Sequence, residues 1–251
     1  MRSFVEDAGV SGKMSGPECS ANPPEVNSVF GKGSVEEIGG LKAYITGNRS
    51  SDRAILLASD AFGYEGVMLR KLADKMGDTG YLIVVPDFFF GDCYYSTMPP
   101  QLRENWLPNH PPEKGCENAL KIIAELKTRV SAVGAAGFCW GGMMVIKLAK
   151  YEDIKAAVIL HPGRLSYNDV NEVRVPVAIL GGELDQLCPQ EEVEHYRKIL
   201  AAKPQVESFV KIFRGVGHGW ASRYKDDDES AIRSAEEAHT DMLNWFSKHL
   251  I

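Results

Sequence analysis

The chain has 251 residues, 44% of them hydrophobic and 25% charged, and a formal net charge of −6. That length and apolar content support a full core in one α/β domain, and the negative balance argues against nucleic-acid binding by bulk attraction. No run approaches the roughly 18 apolar residues of a membrane span, and the start lacks the apolar core of a secretory signal. Five unevenly spaced cysteines suit a reducing compartment with free thiols. The expectation is a cytoplasmic monomer or homodimer with a small-molecule partner, and neither nucleic acid nor membrane.

Met1 to Asn27 is polar, rich in Gly, Ser and Pro, and without helical or strand period. It reads as a flexible leader before a single domain over 28–251, with Met14 a possible second start. From Ser34 the pattern changes: Ser34 to Ile38, the turn Gly39-Gly40, and Leu41 to Thr46 predict an antiparallel hairpin. The later apolar runs are continuous, as strands buried on both faces of a parallel sheet require. They are Ala54 to Ser59, Tyr81 to Pro86, Ala132 to Phe138, Lys155 to Leu160, Val175 to Leu180 and Glu207 to Phe213. Helical periodicity fills the gaps at Tyr64–Met76, from Pro112 to Val130, at Gln190–Leu200, and along the last stretch through Ala231, Ala238, Met242 and Phe246. The alternation predicts a mostly parallel, doubly wound sheet of about eight strands with helices on both faces. Phe88 to Pro112 fits neither pattern; its aromatics and prolines, after a strand's carboxyl end, suit a lid or pocket wall.

One stretch organises the rest. The strand-like run ending in Gly137-Phe138-Cys139-Trp140-Gly141 passes without a gap into a helix-like run from Gly142 to Lys150. This is G-x-C-x-G, the cysteine form of a nucleophile elbow, whose central side chain is pushed into the open on a strained turn. Side chains at Gly137 or Gly141 would collide where the backbone doubles back. Cys139 would sit at a helix N-terminus, which favours a thiolate. The Trp140 amide points the same way as an oxyanion donor. A lone motif of this kind also fits a buried cysteine in a glycine-rich turn, so it needs an acid and then a histidine downstream.

Both follow, each just past a strand. Asp185, in Gly181-Gly182-Glu183-Leu184-Asp185, is the candidate orienting carboxylate, with Glu183 as competitor; His218 stands between Gly217 and Gly219. Nucleophile, acid, histidine is the chain order of the α/β-hydrolase triad. The second oxyanion amide is expected from Ala61, in the loop Ser59-Asp60-Ala61-Phe62-Gly63-Tyr64. Asp60 could reach the thiol or serve only as an Asx turn. Asp60, Phe62, Phe89, Phe90, His161, Trp220 and Arg223 are the candidate substrate-binding residues. No metal is called for, since no cluster has ligand spacing, and no cofactor is expected.

With these residues in order, from about Asn27 to the C-terminus, the chain resembles the dienelactone hydrolase (carboxymethylenebutenolidase) family, cysteine-dependent members of the α/β-hydrolase fold. The resemblance implies Cys139 as nucleophile, His218 as base and Asp185 as its orienter, acting on an ester or enol lactone through a thioester. Bacterial members carry glutamate where Asp60 stands and hold the substrate carboxylate with arginines. Pro86 to Asp92 contains none, leaving Arg223 as the candidate. Met14-Ser15-Gly16-Pro17-Glu18-Cys19 and Phe88-Phe89-Phe90 resemble plant relatives, some described as endo-1,3-1,4-β-glucanase-like, which makes residues 1–13 an extension. Glycoside hydrolysis and a non-hydrolytic lyase, isomerase or ligand-binding role on the same fold are the rival readings.

Overall fold

The structure is a computed structural model describing residues 22–251. Residues 1–21 of the expected leader, Met14 to Cys19 among them, lie outside the described residues. Strands β1 (Ser34–Ile38) and β2 (Leu41–Gly47) pair antiparallel with Ser34 opposite Ile45. Gly39 and Gly40 between them have φ of 59° and 80°, the doubly left-handed turn that joins two-residue hairpins. The remaining strands are β3 (Arg53–Ala58), β4 (Leu82–Pro86), β5 (Ala132–Phe138), β6 (Ala156–Leu160), β7 (Val177–Gly182) and β8 (Ser208–Phe213). They form one eight-stranded sheet in the order β1-β2-β4-β3-β5-β6-β7-β8, parallel from β4 to β8. β7 starts two residues later than its apolar run because Pro176 has no N–H for the ladder; its carbonyl accepts from Ala157 N at 2.9 Å.

Helices cover both faces. On one lie α1 (Val67–Gly77), with Leu69, Leu72 and Met76, and the C-terminal α7 (Glu229–His249), with Ala238, Met242 and Phe246. On the other lie α3 (Pro112–Leu126), α4 (Trp140–Leu148), α5 (Tyr167–Glu172) and α6 (Gln190–Ala201), with Ile122, Val145, Val170 and Val193 in the core. Among the described residues no helix is long and apolar enough to cross a membrane.

Two helices were not expected. α2 (Pro100–Asn109) lies inside the segment read as irregular, with prolines at its first and last turns and one buried residue, Trp106. That indole pins it, packing on Phe89 at 4.9 Å and donating to Asp92 O at 2.8 Å. The six-residue α5 is started by Ser166, whose Oγ accepts from Asp169 N at 3.0 Å. At the other end of the chain, residues 25–30 lie along the domain. Val67 N donates to Glu25 O at 2.8 Å, and the buried Arg70 donates to the carbonyls of Ser28 and Phe30.

The strand order fixes where chemistry can occur. From β3 the chain steps to β4 on one side, then returns to place β5 on the other. The loops leaving β3 and β5 therefore diverge and open a crevice at their carboxyl ends, the point at which open α/β sheets bind ligands.

Candidate active site

Cys139 stands at that point, as N-cap of α4, with φ 51° and ψ −109°. A left-handed β-carbon residue costs about 1–3 kcal/mol, so the surroundings must hold it. Cys139 N donates to Leu160 O at 3.2 Å, and its carbonyl accepts from the amides of Gly142 and Gly163 at 3.0 and 3.2 Å. Gly141 N donates to Ser59 O at 3.1 Å, clamping the elbow to the β3 loop. A β-carbon at Gly137 would lie 2.1 Å from Gly141 O, and one at Gly141 would lie 2.2 Å from Ala58 O. Both glycines are thus required by backbone against backbone, as the motif implied. The helix begins at Trp140, two residues earlier than its apolar run suggested.

The loops after β7 and β8 bring the predicted partners together. His218 Nδ1 lies 2.8 Å from Asp185 Oδ2, with both side chains fully buried. Asp185 Oδ1 accepts from Leu187 N at 2.9 Å and Cys188 N at 3.1 Å, so the carboxylate is fixed before the imidazole reaches it. Glu183, the competitor, instead accepts from Gly215 N at 2.7 Å and ties the two loops together. On its other side the imidazole interacts electrostatically with Cys139. Burial by itself would push His218 down. The electrostatic pull of Cys139 and the bond to Asp185 outweigh it and hold the imidazole up, at about 10.

The other expected residues divide by what they touch. Asp60 Oδ1 accepts from Phe62 N at 2.9 Å, the Asx turn, and its Oδ2 lies 3.2 Å from Arg223 Nε. Burial raises the Asp60 pKa, and the Arg223 charge opposes that rise. The Arg223 guanidinium also sits 5.2 Å from the Phe62 ring centre. Asp60, Phe62 and Arg223 therefore form one layer linking the β3 loop to the loop that carries His218. His161, fully buried at φ 33°, presents its ring 5.2 Å from that of His218 and its Nε2 3.3 Å from Ser222 Oγ. Burial and the neighbouring His218 and Arg223 charges keep it well below its usual pKa, hence neutral.

The aromatic residues do not share one wall. Phe89 is buried against Trp106 and Trp140, at 4.9 and 4.7 Å, and Trp140 Nε1 donates to His110 O at 2.8 Å. These rings fasten α2 to the elbow, so Phe89 supports the site from behind. Trp220 packs on Phe213 at 4.5 Å on the α1/α7 face, beneath the His218 loop. Phe90 is 67% exposed and lines a cleft of about 780 Å³ beside Phe62, whose lining does not include Cys139, Asp185 or His218. Sequence reasoning missed Ser222, the partner of His161, whereas His239, which falls within a helix by sequence, lies with its Nε2 2.8 Å from Ala221 O. Neither carries a motif, and His239 sits mid-helix where a structural role was the natural reading.

The sequence profile described as Dienelactone hydrolase family matches residues 41–250. An endo-1,3;1,4-beta-D-glucanase of Zea mays is 39% identical over 196 residues, 75% of this chain, and the chain spans only 63% of that protein's length. A carboxymethylenebutenolidase homolog of Xenopus tropicalis is 30% identical over 226 residues, 87% of this chain and 92% of that protein. Among solved structures, one from Klebsiella pneumoniae matches with TM-score 0.74 at 20% identity, covering 89% of this chain and 100% of that one. The dienelactone hydrolase from Anabaena variabilis matches with TM-score 0.64 at 13% identity, covering 91% and 100%. The structural likenesses give the fold; the profile and the Xenopus relative give the lineage. The chain belongs to the dienelactone hydrolase family and is an α/β-hydrolase-fold enzyme, a hydrolase acting on ester bonds.

Proposed function

We propose that the chain hydrolyses carboxylic esters or enol lactones by thiol acyl transfer. The observation that carries this reading is the strained Cys139, electrostatically coupled to an imidazole that has a buried, doubly anchored carboxylate behind it. The raised His218 favours a thiolate–imidazolium pair at neutral pH. The thiolate attacks the carbonyl carbon, and the amides of Ala61 and Trp140 receive the oxyanion, each worth about 3 kcal/mol when aligned. Neither amide donates to another acceptor among the described residues. His218 then protonates the departing alkoxide or enolate, leaving a thioester on Cys139. Water, deprotonated by the now neutral imidazole, attacks the thioester, and the acid leaves as the thiolate re-forms.

Arg223 in this reading braces the oxyanion loop through Asp60, which balances its charge. An anchored substrate carboxylate would have to compete with Asp60, so neutral acyl groups suit the site better than the carboxylate-bearing substrates implied for bacterial relatives. The glucan activity named for the maize relative would need two carboxyl groups flanking a sugar at roughly 5–10 Å. Asp60, Glu183 and Asp185, the carboxylates expected near the crevice, are committed to Arg223, Gly215 N and His218. The test is a panel of an activated aryl ester, an enol lactone and a mixed-linkage glucan, offered to wild type and Cys139→Ala side by side. Ester or lactone turnover lost in the variant supports the reading; full turnover in the variant refutes it.

A further inference from the structure

The cleft beside Phe62 is outside the triad, and nothing in the acyl-transfer chemistry uses it. Its floor holds Phe62 and Tyr94, packed edge to face at 5.6 Å. Two rings at its mouth stay in solvent: Phe90 is 67% exposed and Tyr95 47%. Phe90 is unfavourable twice over. Its ring gives up burial, and its backbone sits at φ 55°, a region that bulky residues avoid at a cost of about 1–3 kcal/mol. Gly91 follows at φ 83°, so the chain makes a tight left-handed turn that projects this phenyl outward. Two exposed rings together at the rim of a cleft suit an interaction site better than a packing role.

The polar groups at the cleft restrict what it can bind. Glu37, Glu65 and Asp87 line it against a single ammonium from Lys42. Asp87 spends one oxygen on Phe89 N at 3.2 Å. A carboxylate or phosphate ligand would meet net negative charge. A neutral polyol meets acceptors for its hydroxyls and, on the aromatic rings, flat apolar surfaces for the C–H faces of a pyranose. At about 780 Å³ the volume lies within the range of small-ligand sites and exceeds what one sugar ring fills. We propose that this cleft is a glycan-binding subsite that takes a neutral oligosaccharide by stacking it on Phe90 and Tyr95. The site stands on the cleft alone and does not depend on the role given to Cys139.

The test is calorimetric titration of cellotetraose and laminaritetraose into the full chain carrying Cys139→Ala, so that no turnover intrudes. The same background then receives Phe90→Ala and Tyr95→Ala, both at exposed positions, with circular dichroism checking the fold. The expected result is saturable binding of at least one tetrasaccharide, weakened about five- to tenfold by each ring removal and retained in Tyr95→Phe. No binding at the solubility limit overturns the proposal, as does binding that neither alanine variant weakens. Phenylacetate and tetramethylammonium are titrated in parallel; capture of either in place of the sugars would assign the cleft to an aryl acid or a cation and equally overturn it.

Discussion

Asp185→Asn changes one oxygen to an amide and breaks an arrangement with no spare tolerance. The carboxylate accepts three hydrogen bonds, from Leu187 N, Cys188 N and His218 Nδ1, at 2.9, 3.1 and 2.8 Å. Asparagine has one acceptor oxygen and one donor group. If its oxygen stays with the two backbone amides, its NH2 faces His218 Nδ1 and forces the imidazole into the tautomer with a proton on Nε2, which cannot take the thiol proton. If it flips, NH2 opposes two N–H donors and leaves them unsatisfied. Either way the imidazolium loses a buried charge-assisted bond. A loss of about a thousandfold in kcat for an aryl ester is expected, about 4 kcal/mol of barrier. Removing the negative charge also lowers the His218 pKa, so the alkaline limb of the variant's pH profile should move to lower pH. Stopped-flow hydrolysis from pH 5 to 10 reads both. A loss under tenfold with an unmoved limb would refute the assignment of Asp185.

Gly141→Ala puts a β-carbon 2.2 Å from Ala58 O, so it should cost about 3 kcal/mol or more and lower Tm by roughly 10 °C. Gly40→Ala, left-handed but with open space around it, should cost only about 1 kcal/mol. His239 is pushed down to about 4 by burial, although its bond to Ala221 O opposes this. The unfolded chain therefore binds more protons between about 4 and 6.5, and stability present above that window is lost as pH falls through it. His239→Gln should flatten the Tm profile over those values; an unchanged slope would remove His239 as the source. Trp140→Phe keeps the ring contacts but leaves His110 O without its 2.8 Å donor; chemical denaturation should register a loss of about 1 kcal/mol.

Much of this was readable in the sequence because backbone demands leave residue-level traces. Gly39-Gly40 announces the hairpin turn, and Gly137 and Gly141 announce the elbow. Continuous apolar runs mark the buried strands, while His218 and Asp185 follow their strands at once. What was not readable depends on pairings between distant segments. Asp60 and Arg223 are separated by most of the sheet, so nothing local says that one neutralises the other. α2 has almost no apolar face and buries only Trp106 fully, which leaves no helical period to detect. Phe89 and Phe90 are adjacent and chemically identical, yet one is buried behind Trp140 and the other projects into solvent, because Phe90 turns left-handed.

The central claim is a covalent bond to one sulfur atom. Wild type mixed with p-nitrophenyl acetate, quenched within the first turnovers and examined by intact-mass and peptide mass spectrometry, should carry one acetyl group per chain on the peptide containing Cys139. The adduct should decay as turnover proceeds and be absent from Cys139→Ala. Hydrolysis by wild type with no adduct at any quench time, together with undiminished hydrolysis by Cys139→Ala, would contradict the account.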